Sequence, residues 1–599
     1  MAFLNTKYSH RGDPHGNGDI ERDIMALLTS GADVYNLVET DGRWDVYRHL
    51  SPAREAILSW YTFGEDSSLL EIGAGAGALT GLFCGKCRRV VAQERSLERA
   101  KIIHERHRER DNLEILAGHF EDMVFEERFD YITMIDVFEY ADNFIDSPDP
   151  QKDFLQKVKG LLKPGGKLLL ATPNRFGLKY WCGAAEDRQC VPFAGIKGYQ
   201  ASYPGKTFDK KSLADLLHNA GFERQKFYYP LPNHTIPRVI FTDDYPYNAS
   251  VNWKMLRFYL PGGVIVANEQ DLWKDLAANR VSSFFANSFL VEAGVCDIVH
   301  NEVIFASMDF FRRPEYALHT VIKKNGTVEK VPSSSAAVNH LQTIIKNTEQ
   351  LSRKGISVIA CRIADNKIVS TFSAKPLLLD VLVDSLRADK FPEAIHYLER
   401  LRDCICRSSE HVAAELNALY QTETAPKEMA FGPVLKRGFV DMAPHNCLVD
   451  GEDLVFFDQE WALPNLPVEY IVLHCIYITA SGLSAEECAH WMPKMLRYFD
   501  FYTEKVVCLD RFREQYVNGP VHRASEFDHV IRHSLLEEDL LENRLNPKNN
   551  SEQAVAKHSR ARQAVAAPLQ KVIRLLFSPV RKIRKALSWR KKHVENRSR

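Results

Sequence analysis

Three glycines at alternate positions follow an acidic residue at the end of an apolar segment. Residues 69–80 read LLEIGAGAGALT, which places Glu71 two residues before Gly73, with Gly75 and Gly77 after it. Glycine lets a backbone turn sharply and approach a ligand where a Cβ would collide. A helix that begins after such a turn offers unpaired N–H groups to the ligand. The segment therefore predicts a ligand site between a strand and a helix.

The glycine spacing alone does not identify the ligand. Gly73, Gly75 and Ala78 satisfy a relaxed dinucleotide fingerprint, with Glu94 as its ribose acid. Glu71, however, precedes the first glycine, where a carboxylate suits a ligand with an ammonium or sulfonium group better than an anion. Residues 222–229 and 282–292 also read as strands of a late hairpin that encloses a helical insertion. Together these features favour a cationic cofactor.

Short apolar strands alternate with helices through the first half of the chain. The expected strands cover residues 68–72, 89–94, 113–116, 131–136 and 167–171, and helices are expected at residues 53–61 and 154–162. This alternation predicts an α/β domain with a doubly wound parallel sheet. Ligands of such sheets lie beyond the carboxyl ends of the strands, which is where the glycines and Asp136 fall.

These residues resemble class I S-adenosylmethionine (SAM)-dependent methyltransferases over roughly residues 50–295. The shared motif consists of Glu71, the three glycines, Glu94, Asp136 and the turn KPGG at residues 163–166. The resemblance implies a Rossmann-like fold and SAM as cofactor. It further implies that the glycines hold the methionine part, that Glu94 binds the ribose, that Phe120 and Glu121 flank the adenine, and that Asp136 borders the methyl group.

Within this class, residues 174–187 resemble a subgroup that accompanies bacterial surface-polysaccharide synthesis. That resemblance implies an acceptor site built from five residues: Glu139, Tyr140, Asn174, Lys179 and Tyr180. Alternatively, Glu139 and Tyr140 begin a surface helix, and the other three belong to a solvated loop. The sequence singles out no catalytic base, and a phosphate or carboxylate acceptor would need none, since orientation beside the sulfonium would supply the rate.

The second half of the chain contains a second set of candidate residues. Asp441 is followed by Asn446 and, after a predicted strand hairpin, by Asp458. In the kinase template an Asp takes the acceptor proton, while an Asn and another Asp hold Mg²⁺ on the phosphates of ATP. A preceding strand pair joined by Asn325 and Gly326 offers Lys330 to those phosphates.

Residues 300–510 thus resemble protein-kinase-like small-molecule phosphotransferases, which implies catalytic roles for Asp441 and Lys330 and metal ligands in Asn446 and Asp458. The chain departs from that pattern in several ways, and the helix after Lys330 offers no obvious Glu to pair with that lysine. Phe439 replaces a histidine, Gln459-Glu460 replaces Phe-Gly, and no glycine-rich loop precedes Lys330. An inactive binding domain is the alternative.

The amino-acid composition restricts the classes of binding partner and the cellular compartment. The formal net charge of -1 argues against nucleic acid as a partner. Twelve cysteines without framework spacing indicate reduced thiols in a cytoplasm, and the lone pair Cys84 and Cys87 predicts no metal. The polar N-terminus is not a signal peptide, and no apolar run is long enough to span a membrane.

The last 33 residues are strongly basic, with apolar residues every three or four positions. They predict an amphipathic helix on an anionic membrane surface, with a disordered basic tail as the alternative. We expect an N-terminal extension (residues 1–50), a methyltransferase domain (51–298), an α+β, two-lobed kinase-like domain (299–540), a linker (541–566) and this tail (567–599).

The combination resembles bacterial methyltransferase–kinase proteins that cap O-antigen-type polysaccharides. It implies a cytoplasmic protein held at the inner face of the membrane, with SAM, ATP and Mg²⁺ as cofactors and a glycan or lipid-linked saccharide as acceptor. Glycosyltransferases are further expected partners. Two alternatives stay open: a methyltransferase of a small molecule or sugar nucleotide with an inactive kinase-like half, and a membrane scaffold for glycosyltransferases.

Overall fold

The computed structural model describes residues 1–9, 19–31, 43–187, 190–199, 205–245, 266–267, 269–295, 300–309 and 312–518. These residues form two compact units. Unit 1 contains the described residues up to Ala337, and unit 2 contains those from Val338 to Asn518. The predicted linker and basic tail lie outside the described residues.

Unit 1 is built on a mixed sheet. Its strands run in the order β1-β4-β3-β2-β5-β6-β9-β7-β8-β10-β11-β12. Their bounds are β1 Phe3–Tyr8, β2 Ser68–Ile72, β3 Arg89–Glu94, β4 Leu113–Gly118, β5 Phe129–Ile135, β6 Leu162–Pro173, β7 Arg224–Leu231, β8 Val239–Phe241, β9 Ser288–Gly294, β10 Val303–Met308, β11 Leu318–Lys323 and β12 Thr327–Pro332. The first six strands of this order pair in parallel, and the rest pair antiparallel.

Helices accompany the parallel strands, as the sequence predicted. The α-helices of unit 1 are α1 Asp19–Thr29, α2 Trp44–Leu50, α3 Thr80–Lys86, α4 Leu97–Arg106, α5 Pro150–Gly160, α6 Leu178–Trp181, α7 Ala194–Lys197, α8 Lys210–Asn219, α9 Glu269–Ala278 and α10 Ser282–Phe285. Every residue of β2 is buried, which is typical of a central parallel strand covered on both faces. A Rossmann-like sheet is therefore confirmed.

Three local predictions for unit 1 differ from the structure. Residues 3–8 were assigned to an extension, but β1 pairs in parallel with β4 at the end of this strand order. The late hairpin is formed by β7 and β9, and residues 282–285, predicted as strand, are helical. The segment predicted as a helix at residues 53–61 contains a 3₁₀ helix, Pro52–Ile57.

The hairpin β11–β12 was predicted within the kinase-like region. Its strands do pair antiparallel around Asn325 and Gly326, but β11 also pairs with β10 and so extends the sheet of unit 1. The division between the units falls after Ala337. Lys330 on β12 therefore falls in unit 1 and Asp441 in unit 2, and the joint role predicted for these two residues stays a prediction.

Unit 2 combines short strands with longer helices. Its strands are β13 Cys361–Ala364, β14 Lys367–Thr371, β15 His411–Val412, β16 Val434–Phe439, β17 Cys447–Asp450, β18 Asp453–Phe456 and β19 Ala462–Pro467. Its α-helices are α11 Val338–Arg353, α12 Leu378–Arg387, α13 Phe391–Arg407, α14 Ala418–Gln421, α15 Val468–Ser481, α16 Ala485–Tyr498 and α17 Thr503–Phe512. Helices α12, α13 and α15 share one apolar core with β16. Apolar residues of the loop between β16 and β17 pack in the same core.

Among the described residues, none of the helices is long and apolar enough to span a bilayer.

Candidate functional site

The glycine loop connects β2 to α3 at the carboxyl edge of the parallel strands. Gly73, Gly75 and Gly77 all have positive φ, at 71°, 59° and 74°. A Cβ on Gly73 would lie 2.5 Å from Cγ2 of Val137, so the loop has room there only for glycine. Val137 is two residues beyond β5. The glycine loop and the end of β5 therefore line the same place.

The loop is fastened to the end of β3. The amide of Ala74 donates to the Gln93 carbonyl at 2.9 Å, and the amide of Gly75 donates to Oε2 of Glu94 at 2.8 Å. The other oxygen of Glu94 accepts from the amide of Ser96 at 3.0 Å. Glu94, the predicted ribose acid, thus lies against the glycine loop and fixes its shape.

Glu71 is buried beneath the loop, with 5% of its surface exposed. Its Oε2 accepts a hydrogen bond from the Thr80 hydroxyl at 2.6 Å. Burial raises the pKa of Glu71 to about 8, although the Thr80 hydrogen bond opposes the shift and nearby Glu94 adds to it. A cationic ligand beside Glu71 would favour its ionised form. The buried acid and the glycine cradle therefore fit SAM.

The predicted adenine neighbours follow β4. The ring of Phe120 is fully buried and packs against Phe125 and Phe154. Nζ of Lys157 donates to the carbonyls of Phe120 and Glu121, at 2.7 and 2.9 Å. Phe120 thus has no exposed surface and Glu121 is half-buried, and their contact with the adenine stays a prediction.

Asp136 is the first residue after β5 and has a left-handed φ of 61°. Strained backbone of this kind is concentrated at functional sites. One carboxylate oxygen is hydrogen-bonded to Nε2 of His234, and the other lies 3.5 Å from Nη2 of Arg54. Burial alone would raise the pKa of Asp136, but the His234 ring and the Arg54 guanidinium hold it well below its usual range.

Sequence reasoning missed both partners of Asp136. His234 lies 98 residues from Asp136 along the chain, in the turn after β7, and Arg54 lies in the 3₁₀ helix before β2. Arg54 also donates to the carbonyl of Thr235 at 3.3 Å, which ties the two elements together. No local motif marks either residue, because the pairing depends on the late hairpin bringing residue 234 back to the strand edge.

Glu139 and Tyr140, two of the predicted substrate residues, lie in the 3₁₀ segment Phe138–Asn143. Glu139 is fully buried, so the alternative of an exposed helix start is wrong for it. Asp136, Glu139 and His234 each offer an atom within 4.8 Å of the others. Glu139 therefore belongs to the cluster at the end of β5, beside half-buried Tyr140.

The other three predicted substrate residues bind other parts of the protein. Nδ2 of Asn174 donates to the carbonyls of Phe284 and Ala286, both at 2.7 Å. Asp187 accepts from Nζ of Lys179 at 2.8 and 2.6 Å and from the Tyr180 hydroxyl at 2.8 Å. These contacts hold the segment after β6 in place, and the three residues are buried, so the solvated-loop alternative is wrong. Their contact with an acceptor stays a prediction.

In unit 2 the loop between β16 and β17 carries Asp441 and Asn446, and Asp458 follows β18. Nδ2 of Asn446 lies 3.4 Å from the carbonyl oxygens of both Asp441 and Asp458. Oδ2 of Asp441 accepts from the amides of Glu460 and Trp461, both at 2.7 Å. Asp458 has a left-handed φ of 58°. The structure thus brings the three predicted residues of this unit together.

Helix α11 supports this cluster from one side. Nδ2 of Asn347 donates to the carbonyls of Gln459 and Glu460, at 3.0 and 3.1 Å, and Nε2 of His340 lies 3.2 Å from Glu460. Phe439, which stands where kinases carry a histidine, is buried in the apolar core of the unit. The sequence offered no signal for the roles of His340 and Asn347, because neither residue type is specific to such a contact.

Part of unit 1 matches a known protein family. A family model described as a methyltransferase domain matches residues 45–226. An uncharacterized methyltransferase of Staphylococcus carnosus is 28% identical over 148 residues, which is 25% of this chain and 67% of that protein.

Two solved structures give TM-scores below 0.5 and add no argument of their own. A SAM-dependent methyltransferase from Thermotoga maritima is 18% identical, with a TM-score of 0.25 over 46% of this chain and all of that one. The N-methyltransferase NodS of Bradyrhizobium japonicum, in complex with S-adenosyl-L-homocysteine, is 20% identical, with a TM-score of 0.20 over 27% of this chain and 78% of that one. The family model, the Rossmann-like sheet and the geometry around Glu71 agree: the first half of the chain carries a class I SAM-dependent methyltransferase domain.

Proposed function

We propose that this protein transfers the methyl group of SAM to a saccharide acceptor in bacterial surface-polysaccharide biosynthesis, and that unit 2 phosphorylates the same acceptor with ATP. The observation that carries the methyl-transfer part is buried Glu71 beneath the glycine loop. Burial keeps this carboxyl group largely neutral without ligand, and a cationic ligand beside it would favour the ionised form, which the anionic diphosphate of a dinucleotide would not.

The phosphotransferase part is supported by the cluster of Asp441, Asn446 and Asp458. An Asp and an Asn separated by a hairpin from a second Asp can supply the acceptor contact and the Mg²⁺ ligands that phosphoryl transfer needs. In that assignment Asp441 contacts the acceptor hydroxyl, and Asn446 and Asp458 hold the metal. Lys330 lies in unit 1, and its binding of the nucleotide phosphates stays a prediction.

The experiment uses the full-length protein, a lipid-linked glycan, labelled SAM and ATP labelled in its γ-phosphate. Both labels on the same glycan chains would support the proposal. Methyl label without phosphate label would favour the alternative in which unit 2 only binds the acceptor. Neither label, together with glycosyltransferase capture, would favour a scaffold.

Asp441→Asn provides the sharper test of the second activity. Because a positioned catalytic group contributes about 10²–10⁴-fold, we expect phosphate transfer to fall by at least ~100-fold while methyl transfer continues. Asp450→Asn is a matched control, since Asp450 lies on the same hairpin, is exposed and pairs with Lys375. Unchanged ATP turnover in Asp441→Asn would contradict the phosphotransferase assignment.

We further propose a cytoplasmic location at the inner membrane face, based on the basic sequence of residues 567–599. Each Lys or Arg near an anionic surface contributes roughly 1 kcal/mol, so removing this segment should release the protein at moderate salt. Liposome flotation of the full chain and of a chain ending at residue 566 tests this. Equal flotation of both would contradict it.

A further inference from the structure

The structure leaves one nitrogen of a buried histidine available beside the glycine loop. His234 has 3% of its surface exposed, and its Nε2 is bonded to Asp136. Within the part of the chain that the structure describes, Nδ1 of His234 is buried and has no hydrogen-bond partner. A buried polar atom without a partner costs free energy, and a ligand that completes its hydrogen bonding removes that cost.

The contacts of Asp136 decide which nitrogen carries the proton. A carboxylate accepts hydrogen bonds, so the Asp136 contact selects the tautomer with hydrogen on Nε2. Nδ1 then carries a lone pair. Asp136 is in turn held by Arg54, and the turn itself is fixed because Oδ1 of Asn233 accepts from the amides of Thr235 and Ile236, at 3.0 and 3.2 Å.

The position of this pair relative to the glycine loop follows from Val137. This residue is next to Asp136 and would meet a Cβ on Gly73 at 2.5 Å. The Asp136–His234 pair therefore borders the loop that fits the methionine part of SAM. Fully buried Glu139 closes the same cluster.

We infer that His234 is the general base of methyl transfer and that the acceptor is a neutral hydroxyl group of the saccharide. This inference rests on the proposed function, whose acceptor group it names. As the hydroxyl oxygen forms its bond to the methyl carbon, the carbon–sulfur bond breaks and the sulfur leaves as a neutral thioether. The hydroxyl proton goes to Nδ1 of His234, and Asp136 stabilises the resulting imidazolium.

A phosphate or carboxylate acceptor would not need this arrangement, because its oxygen is already ionised. A metal ion bound by Asp136, Glu139 and His234 is also disfavoured, since Nε2 of His234 is used by Asp136 and the Arg54 guanidinium lies beside the same carboxylate. The oxygen that receives the methyl group is therefore a hydroxyl oxygen that carries no phosphate.

The first arm of the test uses the wild-type protein alone. A lipid-linked glycan is treated with alkaline phosphatase, freed of the enzyme and incubated with labelled SAM in the absence of ATP. We expect methyl incorporation equal to that of untreated glycan. The product should be an ether, so the label should resist treatment with base. Incorporation that is lost after phosphatase treatment would overturn the inference while leaving SAM-dependent transfer intact.

The second arm compares His234→Asn and His234→Gln with His218→Asn, an exposed histidine of α8. Since general base catalysis contributes about 10²–10⁴-fold, we expect methyl transfer by both His234 variants to fall at least ~100-fold. Calorimetric SAM affinity should stay within about threefold of wild type, because Nδ1 acts on the acceptor. His218→Asn should match wild type in both measurements.

Retained transfer in the His234 variants would overturn the inference, as would activity that EDTA abolishes and a divalent cation restores. A variant that no longer binds SAM leaves the decision to the wild-type arm. Failure of the wild-type protein to bind SAM at all would instead contradict the proposed function, so the two failures are distinguishable.

Discussion

Glu71 and Glu292 are both buried on strands of the sheet of unit 1, and their environments differ. Glu71 on β2 has 5% of its surface exposed, and Glu292 on β9 has none. Burial alone raises the pKa of a carboxyl group in either place. Glu71 accepts from the Thr80 hydroxyl, and its pKa is about 8. Glu292 has a pKa of about 2.

The difference comes from the neighbours of Glu292. It accepts from Nζ of Lys167 at 2.8 Å, from the Tyr61 hydroxyl at 2.6 Å and from the Asn301 amide at 3.1 Å, and His300 lies 3.2 Å away. The hydrogen bond to His300, followed by the contacts with Lys167 and Tyr61, overcomes the effect of burial on the pKa of Glu292. Glu292 is thus ionised and fully hydrogen-bonded within the protein, whereas Glu71 is a buried acid to which a cationic ligand can bind.

The largest expected effect is the loss of stability when Glu292 is replaced. For Glu292 the folded pKa of about 2 lies below the ordinary 4.5, so its contribution is present above pH 4.5 and is lost as the pH falls toward 2. Glu292→Gln should lower the free energy of unfolding of unit 1 by about 3 kcal/mol at pH 7. Hydrogen exchange of peptides that cover β9 measures this.

A matched control is Glu127→Gln, which removes a surface ion pair to Arg89. Exposed pairs contribute about 0–1 kcal/mol, so this variant should change little. If both variants destabilise unit 1 equally, the network around Glu292 has no special role.

Replacing Glu71 should change the free energy of unfolding in the opposite direction. Its folded pKa of about 8 lies above 4.5, so the stability associated with its neutral form is fully present below pH 4.5 and is lost as the pH rises through 8. Without ligand, Glu71→Gln should therefore raise the free energy of unfolding of unit 1, by about 2 kcal/mol at pH 7. Hydrogen exchange of peptides that cover β2 between pH 5 and 8, with SAM absent, checks the sign. A destabilised variant at pH 8 would contradict this account of Glu71.

A smaller effect on SAM affinity should distinguish alanine substitutions at two glycines of the loop. An alanine at position 75 suffers only from its positive φ, whereas an alanine at position 73 also meets Val137. Because a left-handed L-residue costs about 1–2 kcal/mol, Gly75→Ala should weaken SAM binding about tenfold, and Gly73→Ala more than that. Calorimetry with SAM gives both values. Gly64→Ala, where the nearest atom is 3.8 Å away, is the control. Equal affinities in all three would show that SAM does not contact the loop.

The sequence predicted the parts of the site that depend on short, strongly patterned segments. Strands β2 and β3 were predicted at their observed bounds, because continuous apolar runs followed by glycine or acidic residues mark buried parallel strands. The positions of the glycine loop after β2 and of Glu94 at the end of β3 are predicted together with those two strands.

What the sequence could not predict depends on contacts between distant segments. β1 was missed because the segment FLNTKY is polar and only partly buried. His234 and Arg54 were missed because their pairing with Asp136 is created by the fold. The hairpin around Asn325 was predicted correctly, but a hairpin signal does not tell which sheet its strands join.

One calorimetric experiment tests the central claim, that the cradle around Glu71 binds a cationic methyl donor. The full chain is titrated with SAM and, separately, with NAD⁺, at pH 7 in two buffers with different enthalpies of ionisation. Because Glu71 is largely protonated without ligand, we predict that SAM binds with release of protons, and that Glu71→Gln releases fewer. The amino group of SAM titrates in the same range, so the difference between wild type and variant is the informative quantity. Binding of NAD⁺ and no binding of SAM would contradict the account.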